Sequence, residues 1–424
     1  MFRAQKISSN TDNKHFSKAA AYAIFLVWPF FALLAAIKSY RKNWAKNIVW
    51  AFTFFYGMTF IILADSLADS VRYAEQLEIM HKGGWTLPYF ISQLFAIGGF
   101  EDIYQPLLTF IVSRFTDNYS VLFAIFGFVL GYFYSRNVWY LIDYSKKKIG
   151  LAAILLILVF AFTIHIGFGI NGVRMWTASH IFIFGLFKYL LEQKKSGLWF
   201  ICSTFLVHFS FIAPIVIFLS YLFMGNKVYI YFGIVVLSLF INQLDFELGR
   251  SLLSFLPNIY SEAANPYVSY ATEERVLSSS SGDDPWFYVW GRLLFKWSIL
   301  IMGSYILFYQ KAIFNNERIK SLFSFGLLLY GIFNILSYFP SVGRFLSIAN
   351  MLLLAVYILL LCNLNDKKYN MLILLLSPGL LLFLAFQVRM FLEYPSYLMV
   401  LGNPFIVPFV EVETNIYSII RSII

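Results

Sequence analysis

Charged residues are scarce in this chain. They make up 13% of its 424 residues, against 60% hydrophobic residues, whereas soluble domains carry about 25% charged residues. The mean hydropathy of +0.72 comes from apolar runs of about twenty residues, each long enough to cross roughly 30 Å of hydrocarbon. This composition excludes a soluble enzyme with a single anchor and indicates a protein embedded in a lipid bilayer.

Cysteine is also scarce, with two residues in the whole chain. Cys202 and Cys362 lie in separate apolar runs, too few and too far apart for a disulfide framework or a cysteine metal site. The sequence has no P-loop, no H-E-x-x-H and no D-x-D pattern, and no internal repeat of the kind that many secondary transporters carry. We therefore expect no metal site and no cofactor.

The positive charge, +10 overall, collects in short connections between the apolar runs. Basic connections favour the cytoplasmic side of a membrane, so the net charge gives no reason to expect nucleic acid. The basic connections are 38–46, 136–148, 188–195, 310–320 and 363–368. The two long connections, 65–118 and 244–288, are then predicted to be external.

These patterns predict an all-α polytopic integral membrane protein, with residues 1–424 forming a single multi-spanning membrane domain. We expect about ten full transmembrane helices, a broken helix pair, and short helices in the external loops 65–118 and 244–288. In the first loop, the short helices are predicted around 86–97 and 103–115. The predicted spans are 19–37, 46–64, 119–140, 149–168, 174–191, 228–243, 289–309, 321–339, 344–362 and 369–387.

The stretch 197–224 is predicted to be the broken helix pair. Basic residues at both of its ends, Lys195 and Lys227, place both ends on the cytoplasmic side, and we expect the turn between His208 and Pro214. Non-helical backbone inside a membrane is tolerated only where it is buried in protein or lines a cavity. The alternative is one long tilted helix, with the loop 244–288 on the cytoplasmic side.

Four cations contradict the orientation rule. Arg174, Arg292, Lys296 and Arg344 each lie in the first turns of a span that is predicted to begin on the external side, near a positive helix N-terminus. An anion between them would remove their repulsion, and the planar arginine side chain suits phosphate or diphosphate. The alternative is that each cation extends to the lipid headgroups by itself.

The glycines of Gly167–Gly172 match the pattern G-x-G-x-x-G. A dinucleotide site is disfavoured, because the motif follows a span of helical length and no βαβ unit surrounds it. We predict a tight turn between two spans, with backbone N–H groups that favour an anion at the start of the next helix.

Three residues are candidates for proton transfer. Asp65 and Asp69 fall at helical spacing with Arg72 after the second span. An Asp69–Arg72 ion pair is one interpretation, and a carboxylate that accepts a proton from a substrate hydroxyl is the other. His208, at the predicted break, is the third candidate acid or base.

Six short motifs extend in order over most of the chain between about residues 20 and 390. Together they resemble the EpsG family, the Wzy-like membrane proteins associated with bacterial exopolysaccharide, capsule and O-antigen assembly. At Arg174 the family pattern is more often Gly-hydrophobic-Arg-Gln, from which Met175 departs. The motifs are Asp65-Ser66…Asp69-Ser70-Val71-Arg72-Tyr73, Tyr104…Phe115-Thr116-Asp117-Asn118, Asn171-Gly172-Val173-Arg174-Met175-Trp176-Thr177-Ala178, Lys188…Lys195, Val207-His208-Phe209-Ser210-Phe211-Ile212 and Gly343-Arg344-Phe345.

The resemblance implies a polymerase that joins oligosaccharide repeat units carried on undecaprenyl diphosphate, at the external face of the bacterial cytoplasmic (inner) membrane. Its expected partners are that lipid-linked oligosaccharide, the lipid bilayer and a chain-length regulator of polysaccharide assembly. We expect Asp65, Asp69 or His208 to orient or deprotonate the acceptor. The expected substrate-binding residues are Arg72, Arg174, Arg292, Lys296 and Arg344.

Other functions fit part of the pattern. A flippase or transporter of the same lipid-linked sugar also needs an anion-binding cavity, although cations near one face favour an enzyme that works on one side. A membrane O-acyltransferase of polysaccharide typically needs an embedded histidine, for which His165, His180 or His208 would serve. A scaffold role in a polysaccharide assembly complex is the remaining alternative.

Overall fold

The computed structural model describes residues 17–62, 69–94, 96, 102–145, 149–241, 251, 286–309, 315–337, 339, 342–363, 366–410 and 412–423. Over these residues the chain is helical, apart from two isolated β-bridges. In the first half the helices are α1 (Lys18–Val27), α2 (Pro29–Lys38), α3 (Ala45–Met58), α4 (Asp69–Lys82), α5 (Leu87–Leu94), α6 (Tyr104–Ser113), α7 (Tyr119–Tyr144), α8 (Leu151–Thr163), α9 (Ile166–Asn171) and α10 (Val173–Leu186). They continue with α11 (Ser196–Val207), α12 (Ile212–Met224), α13 (Val228–Ser238), α14 (Trp286–Tyr309), α15 (Glu317–Leu336), α16 (Arg344–Asn363), α17 (Lys367–Glu393), α18 (Leu398–Leu401) and α19 (Ile416–Ile423).

Six helical segments of the described chain are long and apolar enough to cross a membrane, so the chain is a multi-pass membrane protein. They are α7, the α8–α9 segment Leu151–Asn171, α14, α15, α16 and α17. The predicted ten full spans are not confirmed. At the predicted spans 19–37, 46–64 and 228–243 the α-helices are shorter, and at 174–191 the α-helix changes into a π-helix at Phe187–Leu191.

The first predicted span is divided at Trp28, where Pro29 begins the second helix. Proline has no backbone N–H and disfavours helical geometry in the residue before it, and Trp28 is not helical, with φ −147° and ψ 85°. The resulting helices α1 and α2 have ten residues each and pack against each other. Each is about 15 Å long, half the thickness of the hydrocarbon core, so a full span at 19–37 is not confirmed.

Contacts between distant segments define two ends of the bundle. At one end, Phe60 after α3 bridges Pro395 after α17. At the other, Lys46 in α3 pairs with Asp143 in α7, with Nζ 3.6 Å from Oδ2. We call the first the site end and the second the basic end, because the predicted cytoplasmic connection 38–46 lies there.

Helices α3 and α7 run antiparallel between these ends and pack backbone to backbone. Glycines make this possible: a Cβ added to Gly57 would collide with the carbonyl of Phe123, and one added to Gly127 with the carbonyl of Thr53. Small residues commonly allow this close approach of helices in membranes. The segments at the site end pack against this closely packed α3–α7 pair.

As predicted, the stretch 197–224 is broken, and the break lies at His208. This residue is extended, with φ −152° and ψ 116°, between α11 and a 3₁₀ turn at Phe209–Phe211 that leads into α12. Pro214 lies in the first turn of α12, where a missing N–H is tolerated. One long tilted helix is therefore excluded.

Both ends of this broken pair lie at the basic end. Gly197 in the first turn of α11 packs against Tyr189, and Tyr221 near the end of α12 donates a hydrogen bond to the Ser321 carbonyl at the start of α15, 3.1 Å away. The turn between the two helices packs against the site end of α16. There, the ring centroid of Phe211 lies 5.4 Å from that of Phe345.

The short helices predicted in the loop 65–118 are confirmed as α5 and α6. They pack with α4 around a small apolar cluster of Met80, Phe90 and Phe110. The Arg114 guanidinium fixes the arrangement by donating to the Met80 carbonyl, 2.8 Å away, and by lying 4.8 Å over the Phe110 ring. Most of the other predicted external loop, 244–288, lies outside the described residues.

The predicted tight turn at the glycine motif was wrong, because residues Ile166–Asn171 form the short helix α9. His165 caps this helix: its Nδ1 accepts the Phe168 N–H, 3.1 Å away. A Cβ at Gly167 would lie 2.5 Å from the Tyr56 hydroxyl oxygen. The first glycine of the motif therefore allows close packing between α9 and α3.

Candidate functional site

A buried carboxylate joins three distant parts of the chain at the site end. The Asp102 side chain is fully buried. Its Oδ2 lies 3.1 Å from an Arg174 guanidinium nitrogen and 3.0 Å from His208 Nδ1. Its Oδ1 accepts the backbone N–H of Phe209, 2.6 Å away. We call Asp102, Arg174 and His208 the Asp102 cluster.

Each member of the Asp102 cluster is held by a helix end. Asp102 lies two residues before α6, and Arg174 lies in the first turn of α10. His208 ends α11 by donating its backbone N–H to the Thr204 carbonyl, 2.8 Å away. The next N–H, that of Phe209, leaves the α11 hydrogen-bond ladder at the break and is taken up by Asp102. The carboxylate therefore satisfies a backbone donor that the break exposes.

The contacts of Asp102 favour one tautomer of His208. An ionised carboxylate only accepts hydrogen bonds, so the His208 Nδ1 that contacts Asp102 carries a proton. In the neutral histidine, Nε2 is then the basic nitrogen. The side chains of His208 and Arg174 are 14% and 22% exposed, which leaves both accessible beside the fully buried carboxylate. The arrangement can hold a general base in one orientation next to a cation.

Buried hydroxyl groups lie around the Arg174 side chain. The hydroxyl groups of Tyr73 in α4, Tyr104 in α6 and Thr177 in α10 are buried, with Tyr73 beside the Arg174 guanidinium and Tyr104 beside Thr177. Burial raises the pKa of Tyr73 to about 12, an effect that the nearby Arg174 opposes. Tyr73 is therefore a neutral phenol at physiological pH. Its hydroxyl group can donate or accept a hydrogen bond, but it does not act as a base.

The predicted residues of α4 lie close to the Asp102 cluster. The Arg72 guanidinium forms an ion pair with Asp69, which confirms the interpretation of these residues as a pair. Asp69 also interacts electrostatically with Arg174, so the structure brings Asp69, Arg72, Arg174 and His208 to one region. Asp65 lies outside the described residues.

The three other predicted cations occupy different positions. Arg344 is exposed at the start of α16, and its neighbour Phe345 packs on the turn after His208. In α14, Arg292 lies 5.0 Å over the Tyr288 ring, and Lys296 is half-buried one turn further along. Within the described part of the chain, no hydrogen bond or ion pair joins Arg292 or Lys296 to the Asp102 cluster.

The other two embedded histidines have packing roles. His165 caps α9, and His180 is buried in the bundle, where the Asn137 amide donates to its backbone carbonyl, 2.8 Å away. Neither of these interactions involves the Asp102 cluster. Among the described residues, no group of three or more His, Cys, Asp or Glu side chains could hold a metal ion.

Asp102 is the site residue that the sequence reasoning missed. It belongs to no motif and to no periodic pattern, and its loop contains several other acids. The available signal was Arg174 itself, because a cation inside a membrane protein usually pairs with a carboxylate. That signal implies a partner without identifying which acid of the loop supplies it.

Comparison with known proteins gives no further identification. No protein-family model, curated protein or solved structure matches the chain.

Proposed function

We propose that this chain is a membrane glycosyltransferase that polymerises oligosaccharide repeat units carried on undecaprenyl diphosphate. The observation that carries the proposal is the Asp102 cluster, in which a buried carboxylate orients a histidine beside an arginine at one end of a multi-pass bundle. The resemblance of the motifs at Arg174 and His208 to the EpsG family supports it. The bacterial cytoplasmic membrane as location and a chain-length regulator as partner belong to the same proposal.

In this mechanism His208 acts as the general base. Asp102 holds its Nδ1–H, so that Nε2 takes the proton of the acceptor hydroxyl as that oxygen bonds to the anomeric carbon of the donor. The bond from this carbon to the lipid diphosphate breaks, and the diphosphate leaves with both bonding electrons. Asp69 is the alternative base, from the neighbouring helix α4.

Arg174 has two roles in the proposal. It neutralises Asp102, and its remaining N–H groups stabilise the charge that develops on the leaving diphosphate. Arg344, beside the turn that carries His208, is the second cation that would contact the diphosphate, and Arg72 is the third. Arg292 and Lys296 would contact more distant parts of the lipid-linked substrate.

The test is a polymerisation assay with the purified full-length protein reconstituted in liposomes. The substrate is the lipid-linked repeat unit, extracted from cells that produce this protein. We expect a ladder of products from the wild type. His208→Asn keeps a side-chain N–H for Asp102 but removes the base, so we expect the rate to fall at least about a hundredfold. Arg174→Lys keeps the positive charge but loses the planar set of guanidinium N–H donors, so it should also slow the reaction.

His165→Asn is the matched control. It removes a buried histidine from the same end of the bundle, and asparagine is a favourable helix N-cap, so polymerisation should continue at the wild-type rate. A His208→Asn variant that polymerises as fast as this control would remove His208 from the mechanism. In a parallel reaction that also contains an acetyl donor, a wild-type product that is heavier by one acetyl group would indicate an acyltransferase. Unchanged substrate in both reactions would favour a transporter or a scaffold protein.

A further inference from the structure

A polar cavity opens at the site end, away from the Asp102 cluster. Its volume is about 320 Å³, and it lies between the end of α3, the start of α7 and the C-terminal segment after α17. The C-terminal segment is fixed there by backbone hydrogen bonds, among them Ser396 N–H to the Thr59 carbonyl, 2.7 Å apart. The cavity is therefore part of the folded bundle end.

The lining of the cavity combines hydrogen-bonding groups with one aromatic ring. The hydrogen-bonding side chains that line it include Asp117, Ser120, Thr59 and Ser396. Tyr119 also lines the cavity, and 38% of this residue is exposed. Apolar side chains of the C-terminal segment, such as Val407, complete the wall.

This lining fits a sugar ring better than an ion or an apolar chain. The Asp117 carboxylate accepts hydrogen bonds from hydroxyl groups, and such charge-assisted bonds are the stronger ones. The aromatic face of Tyr119 offers an apolar surface for the C–H face of a pyranose. The carboxylate disfavours an anion, and the exposed polar groups disfavour a lipid tail.

A series of ring contacts connects the cavity to the region of the Asp102 cluster. Successive ring contacts connect Tyr119 to Phe123, Phe123 to Phe126 and Phe126 to Tyr73, with centroid separations of 5.8, 6.0 and 5.7 Å. Tyr73 lies near Arg174. These separations set an upper limit on the distance between the cavity and the Asp102 cluster, and this limit is within the length of a chain of several sugars.

From this geometry we propose that the cavity beside Asp117 and Tyr119 is a binding subsite for a neutral pyranose of the saccharide chain, several sugars away from the reacting one. This inference rests on the proposed function for the identity of its ligand. Such a subsite would hold the growing chain by contacts that do not change during the reaction, and so would affect the affinity for substrate more than the rate of the chemical step.

The test measures binding of the lipid-free repeat-unit oligosaccharide, released from the lipid-linked substrate, to the full-length protein in a detergent without a sugar headgroup. Asp117→Asn and Tyr119→Ala should each weaken binding about tenfold, the cost of about one good contact. Asn118 is left unchanged because its side chain caps α7 by accepting the Ser120 N–H. In the polymerisation assay the same two variants should raise KM with kcat little changed.

The controls remove similar groups outside the cavity. Phe115→Ala removes a ring that is 83% exposed two residues before Asp117, and Glu78→Gln removes an exposed carboxylate of α4. Both should bind the oligosaccharide as the wild type does. Wild-type affinity in both cavity variants, or no binding by the wild type, would overturn the inference.

The outcome also separates this inference from the proposed function. Oligosaccharide binding that depends on Asp117 and Tyr119, in a protein that does not polymerise, would support the subsite and contradict the polymerase. Polymerisation that is insensitive to both substitutions, in KM and in kcat, would support the polymerase and contradict the subsite.

Discussion

Replacement of Asp102 by asparagine tests the central feature of the site. The substitution keeps the shape of the side chain but removes the charge that Arg174 and His208 contact. Removing one partner of a fully buried ion pair costs about 3–5 kcal/mol. Because Arg174 is 22% exposed and water can solvate part of its charge, we expect Asp102→Asn to lower the free energy of unfolding by about 2–3 kcal/mol.

A double-mutant cycle measures how much of this loss of stability comes from the interaction between Asp102 and Arg174. Arg174→Gln leaves Asp102 with its other two donors, so we expect a smaller cost of about 1–2 kcal/mol. If the two side chains interact directly, Asp102→Asn combined with Arg174→Gln will cost less than the sum of the single substitutions, by about 1–2 kcal/mol. The measurement is reversible unfolding of the purified protein in mixed micelles, followed by circular dichroism.

The ion pair between Lys82 and Glu78 is the control for this cycle. Both side chains are more than half exposed, and exposed pairs contribute about 0–1 kcal/mol. Glu78→Gln should therefore change the free energy of unfolding by less than about 0.5 kcal/mol. If Asp102→Asn is no more destabilising than this control, the Asp102 cluster does not hold the loop against the bundle as described.

Three further results are expected. Tyr73→Phe removes a buried hydroxyl that interacts with the Arg174 guanidinium, so the free energy of unfolding in micelles should fall by about 1–2 kcal/mol; an unchanged value would contradict this interaction. Gly57→Ala should destabilise by about 1–3 kcal/mol by overpacking α3 against α7, whereas Gly233→Ala, with open space around its Cβ, should be neutral or stabilising. Arg344→Ala, beside the His208 turn, should slow polymerisation about tenfold, and Arg292→Ala less; equal effects would contradict the different positions of these arginines.

The sequence was sufficient for the class of fold and for the break at His208. Long apolar runs report directly on helices inside a bilayer, and the basic residues at both ends of 197–224 required a turn within it. The proline after Trp28 already indicated a helix boundary there. Hydropathy is averaged over a window of residues, so it does not detect the loss of one backbone N–H. Helix ends depend on such single residues, which is why several predicted helix boundaries differ from those of the structure.

The candidate site was predictable only in part. Arg174 and His208 were identified because a cation or an imidazole inside an apolar region is unusual. Asp102 is ordinary in its sequence surroundings, a carboxylate in a polar loop. What distinguishes it is complete burial between two helices, and that depends on how α6 packs against α10 and α11. No local pattern contains this information.

The break at His208 and the burial of Asp102 depend on each other. In a continuous helix the Phe209 N–H would bond to a carbonyl one turn earlier, and Asp102 would lose its shortest contact. Conversely, without a buried carboxylate the break would leave an unpaired N–H inside the protein, at a cost of about 1–3 kcal/mol. The charge pattern predicted a turn within 197–224. That turn also supplies the Asp102 carboxylate with a hydrogen-bond donor and orients the His208 side chain towards the carboxylate. A substitution that restores a continuous helix at this position should therefore abolish the orientation of His208 even if the histidine itself is retained.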